Sequence, residues 1–189
     1  MNETRTIFFV GKPGCGNGTQ AKLLADHTGW PIFGSGKLFR DLEHEDTPVG
    51  RKLKKENDAG LLSPHWFAMY LYLKSLFSIP AGQSAIFDGF NRKIPEAELI
   101  ISSLGWLERS FSIVYVQVSD EVVRERLLGR SKTSGRQDDH AIDERMKEYY
   151  EHTAPAIELF RDAGALIEVD GEQAPEKIAA DVRAALALD

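Results

Sequence analysis

The chain has 189 residues, 42% hydrophobic and 28% charged, with a net charge of −6. That length predicts one domain with a real core, the acidic balance excludes a protein whose whole surface grips nucleic acid, and no apolar run reaches the ~18 residues of a membrane-spanning helix. A single cysteine excludes an internal disulfide and suits a reducing compartment, and the start, Met1-Asn2-Glu3-Thr4-Arg5, lacks the basic-then-apolar pattern of a signal peptide, so the cytoplasm is the expected location.

In chain order, Thr6-Ile7-Phe8-Phe9-Val10 reads as a strand buried on both faces, closed by Gly11. Thr19 to Asp26 reads as a helix. Residues 33–80 hold helices but no convincing strand, and 40–58 are heavily charged. Ala85-Ile86-Phe87 is a second short strand, followed by a helix from Pro95 to Leu107 with Pro95 suited to its first turn. Ser112 to Val118 is a third strand. Ser119 is a candidate N-cap for a helix running to Leu128. Residues 130–140 form a polar, glycine-containing loop, and Ala141 to Phe160 is one long helix. Leu166 to Val169 is a late strand and Pro175 to Leu186 the last helix. Strands alternating with helices predict an α/β fold, a parallel sheet covered on both faces.

The segment from Gly11 to Gln20 (Gly-Lys-Pro-Gly-Cys-Gly-Asn-Gly-Thr-Gln) follows the first strand and opens the first helix. A phosphate loop belongs at that place. Backbone N–H groups turn inward around an anion and the helix N-terminus adds partial positive charge. The usual pattern then supplies a Lys that reaches the terminal phosphates. Here that position is Asn17, which can donate a hydrogen bond but carries no charge.

Other chemistries find little footing. His27, His44, His65, His140 and His152 show no paired ligand spacing. Cys15 reads as a small loop filler. The basic run Arg51-Lys52-Leu53-Lys54-Lys55 is followed by Glu56 and Asp58 and reads as a solvated helix face.

The loop resembles that of the adenylate kinase family, GxPGxGKGTQ. Further motifs carry the resemblance along nearly the whole chain: Phe33-Gly34-Ser35-Gly36-Lys37-Leu38-Phe39-Arg40, Phe87-Asp88-Gly89-Phe90-Asn91-Arg92, Arg126 through Arg130, Gly135 through Asp139, Arg145 with Tyr149-Tyr150 and Thr153-Ala154-Pro155, and Val169-Asp170-Gly171. It implies a P-loop parallel five-stranded sheet flanked by helices. It further implies a single domain over 1–189, with a helical monophosphate-binding segment at about 33–64 and a short lid at about 130–140.

The implied activity is Mg²⁺-dependent phosphoryl transfer from ATP to a nucleoside monophosphate, AMP by default, by a monomer without nucleic-acid or membrane partners. By resemblance, Gly11, Pro13, Gly14, Gly16, Asn17, Gly18, Thr19, Arg126 and Gly171 bind ATP, Arg126 stacking on its base. Ser35, Arg40, Gly89, Arg92 and Glu96 bind the monophosphate. Arg92, Arg130, Arg136 and Arg145 act on the transferring phosphoryl, Asp138 and Asp139 organise lid contacts, and Asp88 holds Mg²⁺ through water.

Four positions depart from the family pattern. Asn17 replaces Lys, Lys37 replaces Asp, Asn91 replaces Pro and Glu96 replaces Gln. The first two suggest a relocated cation, with Lys37, helped by Lys12, counted among the catalytic residues. Glu96 is expected to read the acceptor base or to turn into solvent. A nucleotide-binding pseudoenzyme, acting as a sensor or binding module, is the alternative.

Overall fold

The computed structural model describes residues 4–131 and 141–188. Strand β1 (Arg5–Gly11) is the middle of a five-stranded sheet in the order β2-β3-β1-β4-β5, and every pairing is parallel. The remaining strands are β2 (Ile32–Gly34), β3 (Ala85–Asp88), β4 (Ser110–Gln117) and β5 (Leu166–Asp170).

The apolar run of β1 follows from its place. Ile7, Phe8, Phe9 and Val10 are each no more than 2% exposed because both faces of the sheet are covered. Phe8 and Val10 join one core layer with Tyr72, Phe87, Phe90, Ile100, Leu104 and Phe160. Ile7 and Phe9 point to the other, with Leu24, Val114, Val116, Ile178 and Val182. The first layer packs beneath α4 (His65–Phe77), α5 (Ile94–Trp106) and α8 (Ala154–Asp162); the second lies beneath α1 (Asn17–Thr28) and α9 (Pro175–Ala185). Phe8 stacks on Phe87 and Phe87 on Phe33, with centroids 5.0 and 5.1 Å apart.

This topology fixes where a ligand belongs. After β1 the chain travels by α1 to β2, on one side; after β3 it travels by α5 across β1 to β4, on the other. The connections therefore part between β1 and β3, leaving a crevice at the carboxyl ends of these strands. Register brings Phe9 beside Asp88 and Gly34 beside Asp88 at that edge.

Two expectations need correction. The stretch 33–80, read as strandless, contributes Phe33 and Gly34 to the edge strand β2. With Pro31 before it and Gly34-Ser35-Gly36 after it, three residues give no period to detect. The helix expected from Ala141 to Phe160 is instead α7 (Ile142–Glu148), a wide π turn (Tyr149–Thr153) and α8. Pro155, in the first turn of α8, has no N–H and crowds the carbonyl four residues back, so the helix widens there.

Between β2 and β3 lie α2 (Ser35–Glu43), α3 (Pro48–Asp58) and α4. Thr47 caps α3 by accepting the Gly50 N–H at 3.0 Å. Helix α6 (Asp120–Ser131) starts after Ser119, whose carbonyl accepts the Val123 N–H. Among the described residues no helix is long and apolar enough to cross a membrane.

Candidate active site

A cleft of about 800 Å³ opens at the crevice. The loop after β1 forms its floor. The Cys15 N–H donates to the Lys12 carbonyl at 3.0 Å, and Gly14 and Gly16 have φ of +81° and +109°. Only glycine adopts such angles without strain, and they turn successive N–H groups to one side. Cys15 is buried, and its burial pushes the thiol pKa up to about 12. It remains a thiol and donates to Asn17 Oδ1 at 3.1 Å, as the filler reading requires. Asn17 opens α1, so the helix N-terminus faces the loop.

Asp88 ends β3 beside the loop: a Cβ on Gly18 would lie 3.5 Å from its Oδ2. Gly11, Pro13, Gly14, Gly16, Asn17, Gly18 and Thr19 all line the cleft, as do Arg40, Arg92, Arg126, Arg130 and Arg145. Arg126 bridges the loop to the end of β5, donating to the carbonyls of Cys15 at 3.0 Å and Gly171 at 2.8 Å. Gly171 itself sits behind Arg126, its N–H donating to the Gln117 carbonyl.

On the opposite wall, Ser35 is buried and its hydroxyl donates to the Gly89 carbonyl at 2.9 Å. Gly89 has φ +86°, and a Cβ there would stand 2.5 Å from Ser35 Oγ and 2.8 Å from Arg92 Nη2. Glycine thus lets the start of α2, the end of β3 and the Arg92 guanidinium meet. Arg40 folds back along α2 toward Gly36.

Two expected residues are placed otherwise. Glu96 neither lines the cleft nor faces solvent. It is 3% exposed and accepts the N–H of Arg92 at 2.7 Å and of Lys93 at 3.2 Å, closing the first turn of α5. Burial pushes its pKa up to about 7, against the pull of these N–H groups and the two basic residues. Lys37 borders the cleft, but its ammonium reaches back to Asp41 at 2.6 Å with the side chain 76% exposed. A pair one turn apart on an open helix surface is the nearest favourable partner, so Lys37 does not reach toward the loop. Lys12 is held at the shoulder of the loop by Asp120. Arg136, Asp138 and Asp139 lie outside the described residues.

Three features of the site go beyond the sequence reading, which marks Asn91 only as a departure from the family pattern. Asn91 is fully buried at the cleft, and neither amide atom has a partner among the described residues. Lys93 donates to the carbonyls of Leu62 and Ser63 at 3.4 and 3.1 Å. Glu148 accepts the Leu62 N–H at 3.3 Å. These three bonds join side chains to backbone atoms of residues 62 and 63, remote in sequence, which no spacing reveals.

No group of three His, Cys, Asp or Glu suited to holding a metal by itself occurs among the described residues. A single carboxylate, Asp88, beside a phosphate loop fits Mg²⁺ nonetheless. That ion keeps several waters and is bound by one or two carboxylates together with substrate phosphates.

The sequence also matches known proteins. The family model described as "Adenylate kinase" matches residues 9–165. Adenylate kinase of Maricaulis maris is 35% identical over 95% of this chain and 97% of the relative. That of Thermus thermophilus is 32% identical over 100% of both, and that of a Synechococcus species is 36% identical over 95% of both. Matched over most of its length by the family model and over nearly all of it by these relatives, the chain belongs to the adenylate kinase family of nucleoside monophosphate kinases.

Proposed function

We propose that the protein catalyses reversible, Mg²⁺-dependent phosphoryl transfer from ATP to a nucleoside monophosphate, AMP first, as a cytoplasmic monomer. The observation that carries this reading is the meeting of five guanidinium groups, Arg40, Arg92, Arg126, Arg130 and Arg145, with a glycine loop and the Asp88 carboxylate beside it around a single cleft. Two nucleotides bring many negative oxygens together, and charge stabilisation with positioning is nearly all the catalysis that phosphoryl transfer needs. Planar guanidinium forks suit phosphate oxygens.

In this mechanism the loop N–H groups and the start of α1 hold the donor phosphates, and Arg126 lies along the donor base. Segment 33–64 closes over the acceptor, whose phosphate Arg40 and Arg92 hold. An acceptor phosphate oxygen forms a bond to the γ-phosphorus as the bond to the β–γ bridging oxygen breaks, leaving two diphosphates. Arg130 and Arg145 spread the charge of that transfer. Bound Mg²⁺ neutralises phosphate charge, and Asp88 would hold it through water. The alternative of a binding module without turnover draws no support from the comparisons.

A coupled assay with ATP and a panel of monophosphates, with and without chelator, tests the reading. Turnover with AMP that chelator abolishes is expected. ATP uptake without turnover of any monophosphate would reject the enzyme in favour of the binding module.

A further inference from the structure

The phosphate loop, residues 11–20, contains one Lys or Arg, and it is Lys12. Its Nζ lies 2.5 Å from Asp120 Oδ1 and 5.6 Å from the centre of the Tyr150 ring. The Tyr150 hydroxyl donates to the same Asp120 oxygen at 2.6 Å. The Lys12 side chain is 13% exposed and that of Asp120 42%. Burial works against the charge on Lys12, yet Asp120 and Tyr150 carry its pKa above the ordinary value, and Lys12 in turn lowers that of Asp120. The ammonium is therefore charged, lines the cleft, and is held at its margin by a carboxylate open to water.

A triphosphate entering this cleft lacks the cation that position 17 would supply. The Asn17 side-chain oxygen, Oδ1, already accepts from the Cys15 thiol. Arg126 is engaged by two backbone carbonyls, and Lys37 lies on the open side of α2 with Asp41. Lys12 starts the same turn that holds Cys15 and has a long, flexible stem. Its present partners are one carboxylate, 42% exposed and so partly screened by water, and the Tyr150 ring. A chain of phosphates, which gathers several negative charges at one place, outcompetes them. Asp120 is not stranded when Lys12 leaves, since it faces water and keeps the Tyr150 hydroxyl.

We propose that Lys12 is the donor-phosphate cation of this loop, exchanging Asp120 for the terminal phosphates of ATP. The proposal rests on the kinase reading above. It gives Asp120 a definite role as the competing anion that sets how tightly ATP is held.

The test uses the full chain, calorimetric titration with ATP and Mg²⁺, and steady-state kinetics for each substrate. Lys12→Gln should weaken ATP binding about tenfold or more while the acceptor KM stays within about twofold, and Lys12→Arg should recover most of the loss. Asp120→Asn should tighten ATP about threefold, because the competitor is gone, and should do nothing in a Lys12→Gln background. A bridge that merely braces the loop gives the opposite sign: Asp120→Asn would then weaken ATP alongside Lys12→Gln. Unchanged or weaker ATP binding in Asp120→Asn, or Lys12→Gln within about twofold of the parent, overturns the proposal even if one variant folds poorly. ATP uptake by the parent with these results removes Lys12 alone; no uptake by the parent at millimolar ATP removes the kinase reading and Lys12 with it.

Discussion

Glu96→Gln should change how stability depends on pH. The carboxyl is 3% exposed, and burial lifts its pKa from 4.5 to about 7. A folded chain that holds a proton more tightly than the unfolded chain is stabilised at low pH. That stabilisation is full below pH 4.5 and is lost as pH rises through about 7. At ~1.4 kcal/mol per pH unit the displacement is worth at most ~3.5 kcal/mol. Gln keeps an oxygen for the Arg92 and Lys93 N–H groups and cannot ionise. The Tm of the variant minus that of the parent should therefore be small at pH 5 and grow by roughly 5–10 °C by pH 8.5, taking ~2–4 °C per kcal/mol for a chain of this size. Thermal melts across that range measure it, and titrations elsewhere cancel in the difference. The ranking of acceptor monophosphates should be the same in both proteins, because Glu96 faces its own helix turn. A Tm difference flat with pH, or a changed ranking, would refute the placement of this carboxylate.

Asn91→Leu replaces a buried amide, unpartnered among the described residues, by an apolar group of similar size, and should raise Tm by about 3–6 °C, or about 1–2 kcal/mol; a fall in Tm would show that the amide is satisfied in solution. Lys37→Ala removes an exposed one-turn pair with Asp41 and should leave turnover within about threefold; a loss beyond tenfold would return the relocated cation to position 37.

The sheet was legible where burial leaves a strong mark. Thr6 to Val10 is apolar without alternation because helices cover both faces of β1. Strand β2 was not legible, since three residues at an edge carry too little pattern. The phosphate loop could be read because glycines at 14 and 16 answer a backbone demand that no other residue meets. The roles of single charged groups were harder. Glu96 stands three residues after Lys93, and without Ser or Thr at the cap nothing in the sequence marks it as a capping residue. Lys37 has its partner one turn along the same helix, a pairing the sequence contained but that the motif position obscured. Burial of Asn91 depends on packing from several elements and leaves no local trace.

The bonds around Leu62 have a mechanical consequence. The strand of chain that returns from α3 is fastened by its N–H to Glu148 on α7 and by its carbonyl to Lys93 ahead of α5. A few residues earlier, a Cβ on Gly60 would lie 2.7 Å from the Ala141 Cβ and 3.2 Å from the Arg145 Cγ. The chain that returns from α3 and the start of α7 are thus one joint. A ligand that draws Arg145 inward would act on the same joint that carries Gly60 and Leu62. On the kinase reading proposed above, occupancy of one half of the cleft would then favour occupancy of the other.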